Sequence, residues 1–362
     1  MASDDWDTVP SPNVGASDNS LAGVAANSAS DVWAVGQFAP DSNPNITQTL
    51  ALHFNGHIWT AVPSPNVGTQ ANALFGVAIK SGRAWAVGYF IDDQFISRSL
   101  IETWNGIQWS IVDHPQAGVS DMLSAVAAVS PSDVWAVGNQ TDSNGKIKTL
   151  IEHFDGSAWS VVASHNPGSS GDQLYGLTAI SAHSVWAVGQ RLGSSGPDRA
   201  LIEHWDGTSW SVVSSPLDGA FSTVLYGVSG VTDDDVRAAG DAQDNVHQAR
   251  ALTEDGVSGS WSLDHAVSVG VGENHLYAIS SLSNDVAWAV GSVLDTASGN
   301  ALTLIERRGD SGWVRESSPN PGFANGDSKL GGVAVVNSTE VWAVGAFDGP
   351  NAVQTLILHC CK

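Results

Sequence analysis

The chain has 362 residues, of which 42% are hydrophobic and 14% charged. Its 14 basic and 37 acidic residues give a formal net charge of −23, a field that repels nucleic acid and anionic membrane and attracts cations such as Ca2+. No apolar run reaches the roughly 18 residues of a membrane span, and the only two cysteines, Cys360 and Cys361, are adjacent, so they form neither a disulfide framework nor a metal site.

Taken in order, the opening Met1-Ala2-Ser3-Asp4-Asp5 lacks the pattern of a secretory leader. Trp6-Asp7-Thr8-Val9 then reads as a short strand, followed by the exit Pro10-Ser11-Pro12-Asn13-Val14-Gly15. The same text returns at Trp59-Thr60-Ala61-Val62-Pro63-Ser64-Pro65-Asn66-Val67-Gly68. Between them lies Asp31-Val32-Trp33-Ala34-Val35-Gly36, whose Trp-Ala-Val-Gly core recurs with tryptophan at positions 85, 135, 186, 288 and 342. A worn copy, Val236-Arg237-Ala238-Ala239-Gly240, fills the one gap. A repeat of this period signals stacked units of one kind.

The fourth copy shows the unit most clearly. Leu174-Tyr175-Gly176-Leu177-Thr178-Ala179-Ile180 reads as a first strand and residues 184–189 as a second. Leu201-Ile202-Glu203-His204-Trp205 is a third, and Asp206-Gly207 a two-residue hairpin turn leading to a fourth around Trp210. Stretches of 3.6-residue periodicity, which a helical solenoid needs, are absent. The pattern predicts an all-β fold: a seven-bladed β-propeller with four antiparallel strands per blade. The blades are expected at 21–65, 74–115, 123–164, 174–216, 225–265, 276–319 and 330–359, in one domain covering 1–362. The last blade ends on a third strand, Thr355-Leu356-Ile357-Leu358-His359. Residues 1–15 are therefore expected to supply its outer strand and close the ring in a 3+1 arrangement. All 15 tryptophans fall at strand positions of the repeat, which reads as packing between blades rather than as sugar-stacking platforms.

Val185-Trp186-Ala187-Val188-Gly189 together with Trp205-Asp206-Gly207-Thr208-Ser209-Trp210 resembles the bacterial BNR/Asp-box and photosystem-assembly-factor-like propellers. The Asp-box proper, Ser-x-Asp-x-Gly-x-x-Trp, is incomplete here, and no arginine triad with Tyr and Glu partners exists to carry a sialidase mechanism over. The resemblance implies a fold and an extracellular or cell-surface setting, not an activity. Kelch and WD40 patterns do not recur.

Both long connections of each unit belong on one face of the ring, and variable loops on a rigid scaffold are where binding residues gather. Three features point there. One register of the first strand reads Ala22, Phe75, Ser124, Tyr175, Tyr226, Tyr277 and Gly331, placing aromatic rings at the mouth of an axial channel or, alternatively, between blades. Arg98, Lys148, Arg199 and Arg250 form a basic arc before the third strands, suited to an anionic group or to surface pairing with acids. His247 and His275 lie in the same loops. Arg237 marks the deviant fifth copy, where a broken local rule often signals function. Glu102, Glu152, Glu203, Glu254 and Glu306 repeat blade by blade, as do His53, His153, His204 and His359; both read as structural. Asp233-Asp234-Asp235 and Asp92-Asp93 are the nearest to Ca2+ ligands but lack the glycine and glutamate of a binding loop, so no metal or cofactor is expected.

The reading is a monomeric ligand-binding propeller taking a carbohydrate or another polar or anionic ligand at Phe75, Tyr175, Tyr226, Tyr277, Arg98, Lys148, Arg199, Arg250 and Arg237. An enzyme of the polysaccharide lyase or hydrolase kind is the alternative, with Tyr226 or Tyr277 as acid/base and His247 or His275 as partner. A protein–protein scaffold using Phe38, Phe90, Phe95, Phe221, Phe323 and Phe347 is the third.

Overall fold

The computed structural model describes residues 5–217, 221–257, 259–268, 270–309, 311–322 and 326–361; Phe323 lies outside them. The described residues form an all-β fold of antiparallel four-stranded sheets. A representative sheet runs Asn72–Lys80, Arg83–Ile91, Ser97–Trp104 and Trp109–Ile111, each strand bonded to the next. Two such sheets, starting at Ser120–Ser130 and Gly171–Ser181, are joined by a single parallel bridge between Ile147 and Gly171. The last sheet is made of Ser328–Asn337, Glu340–Asp348 and Val353–Cys360, and its fourth strand is Trp6–Thr8 from the other end of the chain.

The first strands pack against one another in chain order: Asn19–Ser28, Asn72–Lys80, Ser120–Ser130, Gly171–Ser181, Thr223–Thr232, Asn274–Ser283 and Ser328–Asn337, the last returning to the first. Between neighbouring sheets lie the tryptophans. The thirteen in second and fourth strands are buried, and Trp104 and Trp205 in third strands are half-buried. A second-strand ring of one sheet meets a fourth-strand ring of the next: Trp33 with Trp109 at 5.0 Å, Trp186 with Trp261 at 5.6 Å and Trp342 with Trp59 at 5.4 Å between centroids. Each buried indole removes about 150–250 Å2 from water, worth roughly 4–6 kcal/mol by area. The repeated histidines complete the stack. His153, His204 and His359 lie face to face with Trp135, Trp186 and Trp342 at 4.0–4.1 Å. Cys360 and Cys361 are bonded to each other and buried beside Trp6. A bridge between neighbours closes no loop, so packing carries the fold.

Every first strand carries a β-bulge at one register, where pairing skips a residue: between Leu21 and Gly23, Leu74 and Gly76, Leu123 and Ala125, Leu174 and Gly176, Leu225 and Gly227, Leu276 and Ala278, and Leu330 and Gly332. The skipped residues are Ala22, Phe75, Ser124, Tyr175, Tyr226, Tyr277 and Gly331. A bulge bends the strand and re-aims the extra side chain. Opposite each bulge sits the glycine that ends the Trp-Ala-Val-Gly motif. A Cβ at Gly189 would collide with the carbonyl oxygen of Gln173, and the other six glycines of the motif, Gly240 of the worn copy included, meet the equivalent carbonyl. The motif glycine is therefore a requirement of the bulge. Gly189→Ala is expected to cost about 3 kcal/mol or more, whereas Gly196→Ala, with open space around it, should stay within about 0.5 kcal/mol; urea denaturation of the two variants checks both.

Candidate functional site

The seven bulged residues line one cavity of about 210 Å3 along the axis between the first strands. Phe75, Tyr175, Tyr226 and Tyr277 supply its aromatic wall, while Ala22, Gly23, Gly331 and Gly332 supply almost no side chain. Tyr226 touches both neighbours, with centroids 5.6 Å from Tyr175 and 5.5 Å from Tyr277. The three predicted tyrosines thus form one continuous arc.

Around the arc lie two polar registers on the side where the first strands begin. One precedes the repeated leucine and holds Gln173 and His275. The other follows the motif glycine and holds Gln190, Asp241 and Ser292; on adjacent strands of the same sheet, Gln173 pairs with Gln190 and His275 with Ser292. The Tyr175 hydroxyl donates to Gln173 Oε1 at 2.6 Å, and Gln190 Nε2 donates to Gln173 Oε1 and to the Tyr175 hydroxyl, both at 2.8 Å. The Ser292 hydroxyl donates to Tyr277 at 3.4 Å. His275 Nδ1 lies 2.7 Å from Asp241 Oδ2, and its ring lies parallel to Tyr277 at 5.7 Å. The bond to Asp241 raises the His275 pKa against the pull of burial. Burial, with Asp198 nearby, pushes the Tyr175 hydroxyl up to about 12. Tyr226 is raised too, by burial first and then by Asp241, whose carboxylate shares a hydrogen bond with it. A second cavity of about 200 Å3 adjoins at Tyr277, lined also by Glu273, His275, Ser292, Asp327 and Lys329.

Sequence reasoning missed Asp241, Gln173, Gln190 and Ser292. The signal was present. The register after the motif glycine reads Gln37, Tyr89, Asn139, Gln190, Asp241, Ser292 and Ala346, which is too polar for a buried strand unless it borders a water-filled mouth.

Other expected site residues lie elsewhere. Arg98, Lys148 and Arg250 pair with Asp92, Asp142 and Asp244 at 3.0, 2.9 and 2.8 Å, each acid six residues earlier in the same loop. Each of those aspartates also accepts two backbone N–H bonds of its own loop, and Arg98 and Arg250 donate onward to the Gly118 and Gly272 carbonyls that lead into the next sheet. Arg98 and Arg250 thus tie their loops to the segment entering the next sheet, while Lys148 pairs within its own loop. Arg199 opens its third strand opposite Arg191. His247 is an exposed turn residue between Asp244 and Arg250, at φ 62° and bonded through its N–H to the Asp244 carbonyl, the position Phe95 and Gly145 occupy in other sheets. Its place is therefore a loop tip and not the aromatic arc. Of the phenylalanines of the scaffold reading, Phe38, Phe90 and Phe347 pack into inter-sheet cores, and Phe95 and Phe221 are exposed. Among the described residues no group of three or more His, Cys, Asp or Glu is placed to hold a metal ion.

Arg237 is 4% exposed and lies near the start of its strand, at the end opposite the aromatic arc. It pairs with Asp235 at 2.5 Å and Asp255 at 3.0 Å and donates to the Asn284 carbonyl at 2.5 Å. Arg308 of the next sheet joins through Asp255 at 3.4 Å and Asp264 at 2.8 Å. Where other sheets pair Trp33 with His53 or Trp135 with His153, this one pairs Arg237 with Asp255. The deviation is thus an ionic replacement for an aromatic stack. Burial raises Asp255 to about 6, against the pull of Arg237. Arg237→Met should cost about 3–5 kcal/mol, since it strands buried carboxylates, with ligand binding at the axis unchanged; denaturation and titration calorimetry read the two effects separately.

The repeated glutamates are all buried in third strands. Glu102 accepts from the Ser64 hydroxyl at 2.6 Å, Glu254 from Ser215 at 2.7 Å and Glu306 from the Val267 N–H at 3.0 Å, while Glu152 meets His114 Nδ1 at 3.1 Å. Burial pushes Glu102 and Glu203 up to about 8 and Glu306 to about 7. A carboxyl raised in the folded state contributes stability that is complete below its unfolded value and is lost as pH rises through the folded value. Stability should therefore fall between about pH 4.5 and 8. Glu102→Gln should remove roughly 2–4 kcal/mol of that fall, visible as a flatter urea midpoint between pH 5 and 9.

No protein-family model matches the sequence, and no curated protein matches it. Solved structures do share the fold. YCF48 bound to a D1 peptide is similar at TM-score 0.59 and 10% identity, over 100% of this chain and 98% of that one. A GH74 xyloglucanase from Xanthomonas campestris is similar at 0.58 and 11%, over 97% of this chain and 55% of that one, so the chain spans about half its length. The fucose-specific lectin from Aleuria aurantia is similar at 0.50 and 14%, over 82% and 95%. The fold is a β-propeller.

Proposed function

We propose that this chain is a seven-bladed β-propeller, closed by Trp6–Thr8, that binds a carbohydrate or another small polar ligand at the long-loop mouth of its axial channel. The cyclic packing of the first strands and the pairing of Trp6 with Cys360 support the ring. The single observation that carries the binding reading is the convergence of Tyr175, Tyr226 and Tyr277 on one cavity wall, backed by side chains that offer donors and acceptors within 3 Å of each other. Aromatic faces ringed by amides, a hydroxyl and a carboxylate suit a ligand with apolar faces and polar edges. Three of the four side chains of the basic arc, Arg98, Lys148 and Arg250, are engaged with aspartates, which favours a neutral or cationic ligand over an anionic one. Among the similar folds, one is named for xyloglucan and one for fucose.

The enzyme reading has one observation in its favour: Asp241 holds His275 by Nδ1, the arrangement that orients an imidazole as a general base.

Ala22→Phe tests the site. The substitution copies the Phe75 position of the adjacent sheet and fills the open side of the cavity. Glycan-array and calorimetric signals should disappear while the melting temperature is kept. Undiminished binding in this variant would place the ligand elsewhere and remove the proposal.

A further inference from the structure

We infer that the axial mouth selects ligands carrying an organic cation, a protonated or quaternary amine, seated on the faces of Tyr175, Tyr226 and Tyr277 in the field of Asp241, Glu273 and Asp327. This rests on the axial-mouth reading above and names the chemical class that the mouth prefers.

The residues that line the axial cavity include no charged side chain. Recognition inside it therefore falls to the aromatic faces, whose quadrupoles attract a cation within about 6 Å of a ring centroid. Tyr226 has the other two rings as direct neighbours, with centroids 5.6 and 5.5 Å away, so a cation seated in the angle between two of them meets both. Desolvation strengthens the attraction, and the wall is largely shielded: the three tyrosines are only partly exposed.

The charges nearest the mouth are unbalanced toward the negative. Asp241 is bonded to His275, and Asp327 pairs with Lys329 at 2.7 Å. Glu273, with half of its side chain exposed, is met by His275 Nε2 at 3.8 Å. Three carboxylates thus face two bases, and the mouth keeps a negative excess even with His275 protonated. Tyr277 separates the aromatic cavity from the pocket that holds Glu273 and Asp327, so a cationic group on the arc is close to both. The whole-chain charge of −23 adds a long-range field of the same sign. Arg98, Lys148 and Arg250, three of the four side chains of the basic arc, are tied to loop aspartates.

The decisive comparison is choline against its uncharged isostere 3,3-dimethylbutan-1-ol, by titration calorimetry on the full chain. Choline should bind at least about tenfold tighter. Tyr226→Leu should abolish that preference and Tyr226→Phe should keep it, because the ring face and not the hydroxyl makes the contact. Glu273→Gln, at an exposed position, should weaken choline about threefold and leave the isostere unchanged. Melting curves verify that each variant is folded. Glucosamine against N-acetylglucosamine at pH 6 forms a second pair, and preference for the charged member there identifies an amino sugar as the source of the cation. Equal or tighter binding of the uncharged isostere overturns the inference, as does a preference that survives in folded Tyr226→Leu. The two levels fail separately. A glycan signal lost in Ala22→Phe without choline selectivity sinks only the cation class, whereas a glycan signal indifferent to Ala22→Phe sinks the site itself.

Discussion

A backbone carbonyl pressed against a glycine Cα is the contact on which this molecule is built. In each sheet the first strand bulges and drives a carbonyl toward the second strand, at a point where no Cβ can be accommodated. The same bulge turns one side chain toward the axis. One steric requirement therefore sets the repeat and lines the cavity between the first strands. The fifth copy shows the order of importance. It gives up its tryptophan for Arg237 yet retains Gly240. A packing group can be exchanged for another solution, but the backbone approach cannot be relieved by repacking side chains.

That exchange also shows how much freedom the sheet interfaces have. Tryptophan on histidine, tryptophan beneath the Arg307 guanidinium, and arginine between two aspartates occupy the same cross-strand position in different sheets. Each fills the same gap with a different pair of side chains. The buried glutamates follow similar logic. Glu102, Glu254 and Glu306 each bond to the exit segment of the preceding sheet, and burial shifts Glu102, Glu152, Glu203 and Glu306 toward the neutral acid, since a lone ionised carboxylate is poorly tolerated without water.

The candidate site arises where the repeats stop being alike. Seven equivalent bulges present three tyrosines, a phenylalanine, a serine, an alanine and a glycine to one cavity. Three consecutive tyrosines stand on one side, Gly331 and Ala22 adjoin on the other, and Phe75 is set apart from the tyrosines by Ser124, so a repeated scaffold acquires an asymmetric pocket. The polar partners cluster on the tyrosine side as well. A set of like sheets is thereby given one asymmetric cavity by the choice of side chain at a single register.

The sequence by itself determined the all-β class, the unit of four strands, the inter-sheet role of the tryptophans and the shared register of the tyrosines. These are local and periodic properties, and periodicity survives in one dimension. The loop pairings were equally open to reading, because each acid stands six residues before Arg98, Lys148 and Arg250. Only the tertiary structure decided that Asp241 meets His275, 34 residues away. It alone placed Arg237 in an ionic cluster at the far end of its sheet and His247 on an exposed turn. Contacts between adjacent sheets depend on the bulge and on the approach of neighbouring first strands, and neither distance is encoded by spacing along the chain.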